Sequence, residues 1–446
     1  MSSNVIKLSD HFNYRRLLRF VYPSIIMVIF TSIYSVVDGV FVSNFCTDTE
    51  FAALNLIFPF IMFISGTGFM IGAGGSALVS QVLGTGDKQK ANRYFSMLVI
   101  FTIILGAILT AVGIIFMRPA ALLLGATEDM LEPCVTYGTT LMSFAILFML
   151  QNVFQSFLNV AEKPKLGLAF TVIAGVANAV LDWLFMAVFH MGLFGAALAS
   201  GIGQCLGGIL PLIYFLSKND SLLRLTPAKL EFKPILKTCT NGSSELMSNI
   251  SSSLVGMLFN KQLMTYLGQD GVSAYGVLMY VQFIFIAAFI GYSTGCAPII
   301  GFHYGAEDTP ELKSLFKKSE IMMGLAGLAM TAFGFIFAWP LSKLFVGSNP
   351  ELCQMTHDAF MIYSTSYLVV GFNIFASGFF TALGNGAISA ITSFSRTLVF
   401  QAAAILLLPM IIGPEGIWWA VPISELGAFI MSSIFIIAKR KKYGYM

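Results

Sequence analysis

Apolar runs long enough to cross a bilayer recur along this chain from one end to the other, and little else about it constrains folding as much. Broken at polar turns, they fall at 17–42, 53–82, 94–116, 134–158, 166–188 and 195–217. After a basic stretch they resume at 236–263, 273–300, 317–340, 357–384, 388–411 and 416–438. About 20 residues of helix cover a hydrocarbon layer of roughly 30 Å, so each run predicts one transmembrane helix and the chain predicts twelve. Only 11% of the residues are charged, against about 25% in an ordinary soluble domain. No sustained polar–apolar alternation points to a membrane barrel. The six Cys are scattered singly and read as small apolar fillers rather than a disulfide frame or a metal site. The start of the chain is too polar for a cleavable leader, so the first apolar run is expected to be retained.

Orientation follows from the basic residues. Of the 25 Lys and Arg, 21 fall on the side of the N-terminus, in the even-numbered turns and in the tail Lys439–Lys442. The positive-inside bias therefore predicts both termini in the cytoplasm. Because the cations serve topology, the formal charge of +3 gives no reason to expect nucleic acid as a partner. The spans also divide evenly: 1–218 would form an N-terminal lobe, 219–235 a cytoplasmic linker and 236–446 a C-terminal lobe. An offset of 221 residues superposes Gly74 on Gly295, Asp87 on Asp308, Gly192 on Gly413 and Ala199 on Ala420, with the matches gathered at helix ends. With an even number of spans per half, the repeat would be parallel, about an axis along the membrane normal. The expected fold is thus an all-α integral membrane protein of two six-helix bundles flanking a cleft.

Carboxylates within such spans are costly, about 3 kcal/mol at a helix centre on insertion scales, and they tend to mark ion or substrate paths. Asp38 stands near the outer end of the first span. Asp182 lies in the fifth with Asn178 one turn earlier on the same face. With Tyr34 these side chains offer oxygen for a hard cation, or an acid for a proton. The competing reading leaves Asp38 at the aqueous edge and Asp182 as a neutral packing residue. Glu245 in the seventh span either faces the cleft or pairs with Lys237 at the cytoplasmic mouth. Glu320 and Glu425 are weaker candidates near the interfaces, while Lys261 and Arg396 are expected to snorkel or pair. Gly68 and Gly72, in GxxxG spacing, point to close helix packing rather than a nucleotide loop. Among the abundant Phe and Met, most are expected to pack or face lipid. Met149 and Phe154, with Phe148, Phe157 and Tyr137, are candidates for a cleft wall that accepts apolar cations.

Several stretches together carry a family likeness: TSIYSVVDGVFVSNF in the first span, LVSQVLGTGDKQKANRYF closing the second, FQSFLNVAEKPKLG after the fourth and NAVLDWLF in the fifth. In these the chain resembles the multidrug and toxic compound extrusion (MATE) transporters over essentially its whole length. The resemblance implies a multi-pass protein of the cell membrane that antiports organic cations or amphipathic drug-like molecules out of the cytoplasm against Na⁺ or H⁺. It implies no cofactor beyond that coupling ion, and a monomer among membrane lipids. Asp38, Asn178 and Asp182 match the family's N-lobe ion site and would be the ligands if the ion is Na⁺; Tyr34 adds an oxygen. Gln204 approaches the same cavity from the sixth span. Glu245 resembles the seventh-span acid of a branch that also uses a tenth-span Asp. Here the tenth span lacks that Asp and carries Asp358 only at its outer edge, which shifts the expected ion site to the N-terminal half. A lipid-linked precursor flippase is the alternative, but its cleft would need more cations than Lys261 and Arg396. A membrane enzyme is disfavoured, since four His and scattered Cys make no catalytic constellation.

Overall fold

The computed structural model describes residues 6–446; the first five residues of the basic start lie outside the described residues. No strand occurs among the described residues. The first half contains α1 (Tyr14–Phe45), α2 (Asp48–Gly84), α3 (Lys88–Leu123), α4 (Glu128–Ser143), α5 (Ala145–Val160), α6 (Pro164–Asp182) and α7 (Gly192–Leu216). The second contains α8 (Phe232–Gly305), α9 (Thr309–Val346), α10 (Pro350–Ser364), α11 (Tyr367–Ala382), α12 (Gly386–Phe394), α13 (Gln401–Ile412) and α14 (Gly416–Tyr443). α4 and α5 form one span bent by 55°, and α10 and α11 another bent by 49°. π-Helical turns continue α6 through Trp183–Val188 and join α12 to α13 through Ser395–Phe400.

α8 differs from expectation. Its 74 residues would make a rod of about 110 Å at 1.5 Å per residue, far longer than a bilayer. It is two spans. Gly268 alone leaves helical geometry, at φ 65° and ψ −155°, and the chain reverses there, because Phe259 and Tyr275 stack at 4.4 Å on either side of it. The nine-residue connection expected between 263 and 273 is therefore almost wholly helical. A positive φ is open to glycine at little cost, so one residue suffices for the turn. Counted this way, twelve helices cross.

The repeat is visible in the backbone. Asp87 caps α3 by accepting from Lys90 N, and Asp308 caps α9 by accepting from Glu311 N. The left-handed residues Gly86 and Glu307 precede those caps, and Gly192 and Gly413 form a second left-handed pair at the same offset. The bundles are related by pseudo-two-fold symmetry.

The bundles meet where α2 crosses α8 with backbone against backbone. A methyl group on Gly74 would strike the Thr238 carbonyl, one on Gly242 the Met70 carbonyl, one on Gly84 the Phe302 carbonyl and one on Gly305 the Gln81 carbonyl. Gln81 Nε2 also donates to the Ala382 carbonyl at 2.7 Å. Gly68 and Gly72 instead admit Asn152 and Ser156 of α5, the close packing that their spacing predicts. The stretch before α1 reaches across the same end of the molecule. Leu8 N donates to Glu162 in the first half and Phe12 N to Glu311 in the second, at 2.6 and 2.8 Å. These contacts gather on the side of the basic loops. At the opposite end Phe51, Phe58 and Phe283 are exposed.

Candidate functional site

Glycine lets three helices of the first bundle converge. Gly175 of α6 lies against Phe30 and Tyr34 of α1, and Gly203 of α7 lies against the Asn178 side chain. A larger residue at either place would force the helices apart. Within this junction Asp38, half-buried on α1, accepts from Ser200 Oγ at 3.3 Å, and Asn178 Nδ2 donates to the same hydroxyl at 3.5 Å. Asp182 closes α6 at the point where the helix widens into its π turn, and it is completely buried. The Asp38 and Asp182 carboxyl groups face each other, yet neither Asp182 oxygen has a hydrogen-bond partner. Two carboxylates offer only acceptors, so the contact becomes a hydrogen bond only when one of them carries a proton. Tyr34 stands beside Asp38 and the Gln151 amide, and Tyr137 approaches both acids.

The four residues that the sequence singled out for ion coupling, Tyr34, Asp38, Asn178 and Asp182, thus lie together. Sequence reasoning missed Ser200, which links Asp38 to Asn178. It lies one helical turn before Gln204, the polar residue of α7 that drew attention. Gln204 lines neither cleft cavity, and its buried amide oxygen has no partner. The expectation that it contributes to a substrate cavity is corrected accordingly.

The cleft holds a cavity of about 370 Å³ between the bundles, and a second of about 210 Å³ deeper in. Glu245 lines both, so its carboxylate faces the cleft. Lys237 is exposed and forms no ion pair with it. Val28 of α1 also lines both cavities, and Ser32 lines the larger. Met149 and Phe154 do not reach either. Both are fully buried in the core of the first bundle, where Phe154 stacks on Phe215 at 5.6 Å and meets Phe95 edge-on at 6.4 Å. Successive helical residues point about 100° apart, and on α5 it is Gln155 and Ser156 that turn to the cleft. Phe157 and Tyr137 are likewise buried in that core.

The second bundle carries its own acid, differently set. Glu425 is 1% exposed, not at an interface as its sequence position suggested. It accepts from Arg396 Nε and Nη2 at 2.9 Å and from Asn373 Nδ2 at 2.8 Å. Arg396 belongs to the π turn between α12 and α13, and both members of the pair reach the larger cavity. Asp358 lies at the outer edge beside His357 and Gln354. Among the described residues, no three His, Cys, Asp or Glu gather as a metal cluster.

The MatE family model matches this chain twice, at residues 23–184 and 246–406, once in each bundle. The chain belongs to the MATE family. Among curated proteins, the multidrug export protein MepA of Staphylococcus haemolyticus is 22% identical over 437 residues, covering 96% of this chain and 94% of that one. MepA of Staphylococcus aureus is 21% identical over 414 residues, covering 92% and 91%. Among solved structures, a MATE protein in complex with MaL6 has a TM-score of 0.91 at 21% identity, covering 99% of this chain and 100% of that one. An outward-facing multidrug resistance MATE transporter of the MOP superfamily has a TM-score of 0.86 at 23% identity, covering 95% and 96%. At those identities the structural likeness shows the fold alone. This is a multi-pass membrane protein with the MATE fold.

Proposed function

We propose that the chain exports amphipathic organic cations from the cytoplasm across the cell membrane, exchanging them for H⁺ or Na⁺ bound between Asp38 and Asp182. The observation that carries this reading is that α1 belongs to two places at once. It brings Asp38 to a buried acid of the first bundle, while Val28 and Ser32 on the same helix line the cleft. Two adjacent carboxylates repel unless a proton or a cation sits between them. A bound ion would therefore draw Asp38 towards Asp182 and Asn178, and α1 would move with it. Sodium would use oxygens of Asp38, Asp182 and Asn178; a proton would need only the two acids. The movement would reshape the cavity wall beside Glu245, the acid proposed to hold the cargo cation. A ligand shifts such an equilibrium only by its differential affinity for the two states, so ion and cargo must favour opposite arrangements of α1.

Both termini are proposed to be cytoplasmic, the side on which the basic loops cluster. Residues 1–218 and 236–446 would rock as two units about the segment 219–235, in a monomer. The staphylococcal MepA proteins, multidrug exporters by name, support the drug-like cargo. A flippase for lipid-linked precursors would require free cations in the cleft for its phosphates. Arg396, the cation of the larger cavity, is already engaged by Glu425.

Proteoliposomes loaded with a fluorescent organic cation, under separately imposed Na⁺ and pH gradients, test the reading. Wild type is expected to respond to one gradient, and Asp38→Asn to neither while still binding the dye. Gradient-driven transport by Asp38→Asn at the wild-type rate would overturn the coupling role.

A further inference from the structure

Away from the cleft, on the outer face of the second bundle, α9, α11 and α14 enclose a groove of about 250 Å³. Its walls include Phe316 and Glu320 of α9, Phe372 of α11, Phe429 and Ser432 of α14, and Met446. Three observations set it apart from ordinary lipid-facing surface. Glu320 Oε1 is buried and has no hydrogen-bond partner. Ser432, 2% exposed, likewise leaves its hydroxyl unpartnered against the same space. Phe372 and Phe429 meet at 5.5 Å with their planes inclined at 60°, so the groove presents both a ring edge and a ring face.

A carboxylate in a membrane helix is costly to leave without a partner. Lys317 is exposed one turn earlier and makes no bridge to Glu320, and Lys318 is occupied by Ser314 and the Phe12 carbonyl. Among the described residues no side chain supplies a partner for Glu320, which leaves it available to a cation that the groove admits. An unpaired acid among aromatic faces is the chemistry that holds quaternary ammonium groups. The space suits a cationic head rather than a whole drug, since drug-sized pockets run from about 300 Å³ upwards. Its rim is apolar and faces outward, with Ile437 55% and Met446 51% exposed. Glu320 lies some 11 residues inside α9, about 16 Å from the end carrying the basic loops.

We propose that this groove docks the cationic head of a single-chain amphiphile from the leaflet on the basic-loop side, with its tail left among the lipid chains. Glu320 pairs with the ammonium, Phe372 and Phe429 flank it, and Ser432 donates to the carboxylate when the site fills. The site is separate from the cleft and does not depend on the coupling proposed for Asp38 and Asp182. Its occupant has the chemistry of the proposed cargo, so the groove would collect cargo from the membrane beside the bundle.

The test uses the full chain in phosphatidylcholine nanodiscs with radiolabelled dodecyltrimethylammonium as the probe, and reads binding rather than transport. In a Glu245→Gln background, which removes the cleft acid as a competing site, Glu320→Gln is expected to weaken a saturable component by about tenfold and Glu320→Asp to keep part of it. Phe429→Leu, which preserves apolar volume but removes the ring, is expected to weaken it several-fold. That variant decides the matter if Glu320→Gln does not fold. Binding unchanged in whichever of these two variants folds would overturn the proposal. Equal competition by uncharged dodecanol would also overturn it, leaving a groove that holds hydrocarbon chains only.

Discussion

The two bundles treat a buried acid in opposite ways. In the first, Asp182 is sealed from solvent with both oxygens unpartnered, facing a second acid across the helix junction. In the second, Glu425 is equally buried but held by Arg396 and Asn373. The comparison is sharpened by register. Gln204 and Glu425 stand at the same offset as Gly192 and Gly413, so one scaffold position carries an amide in one bundle and a neutralised carboxylate in the other. An acid with a built-in counter-charge has no need of a transported ion. Under the proposed exchange, an acid whose neighbour is another acid would need one. The two frames are similar, and side chains at the helix junctions leave one acid unpartnered and pair the other.

The largest effect should come from removing the acid that has no partner. Asp182→Asn is expected to reduce gradient-driven efflux to the level of empty vesicles while leaving the thermal unfolding midpoint in detergent at or above that of wild type. A large fall in that midpoint would mean that Asp182 is structural, and the contrast between bundles would collapse. In the second bundle the expectation is reversed. Arg396→Met strands Glu425 as an uncompensated buried charge, a loss of about 3–5 kcal/mol of stability. The double variant Arg396→Met with Glu425→Leu should recover most of it, as measured by the same unfolding assay. If the single variant is as stable as wild type, Arg396 does not neutralise Glu425 in the folded protein.

A smaller effect is expected at the seal between bundles. Gly84→Ala places a methyl group against the Phe302 carbonyl and should favour the state in which this end is apart. Accessibility of a cysteine introduced near the crossing would read that shift; unchanged labelling would count against a backbone seal. Ser200→Ala should be mildest, removing a hydroxyl that contacts Asp38 and Asn178. A loss of about 0.5–1.5 kcal/mol, up to roughly tenfold in apparent ion affinity, is expected.

Much of the architecture could be read before any coordinates. Hydropathy alone gives twelve crossings, and the repeat of Asp87 at Asp308 marks matching caps. The i, i+4 spacing of Asn178 and Asp182 puts both on one face. What escaped the sequence depends on facts that no single helix contains. Arg396 and Glu425 are 29 residues apart on separate elements, and neither residue announces the other. Met149 and Phe154 have the right chemistry for a cleft wall, but the choice between them and Gln155 rests on the rotation of α5 in its bundle. The turn at Gly268 lies inside the break expected between 263 and 273, and only its tightness escaped. Asp270-Gly271 just beyond it is a turn signal, yet the single positive φ at Gly268 reverses the chain while its flanks stay helical.

That reversal has a mechanical consequence. Most connections between spans are loops that can stretch or coil and so absorb displacement. The joint at Gly268 has no such slack, and the two arms of α8 are further pinned by the stacked rings of Phe259 and Tyr275. One arm carries Glu245 along the cleft and Gly242 to the crossing with α2, and the other carries Gly305 to the same crossing. A push on the Glu245 arm would therefore be passed to the Gly305 arm as through a stiff lever rather than a tether.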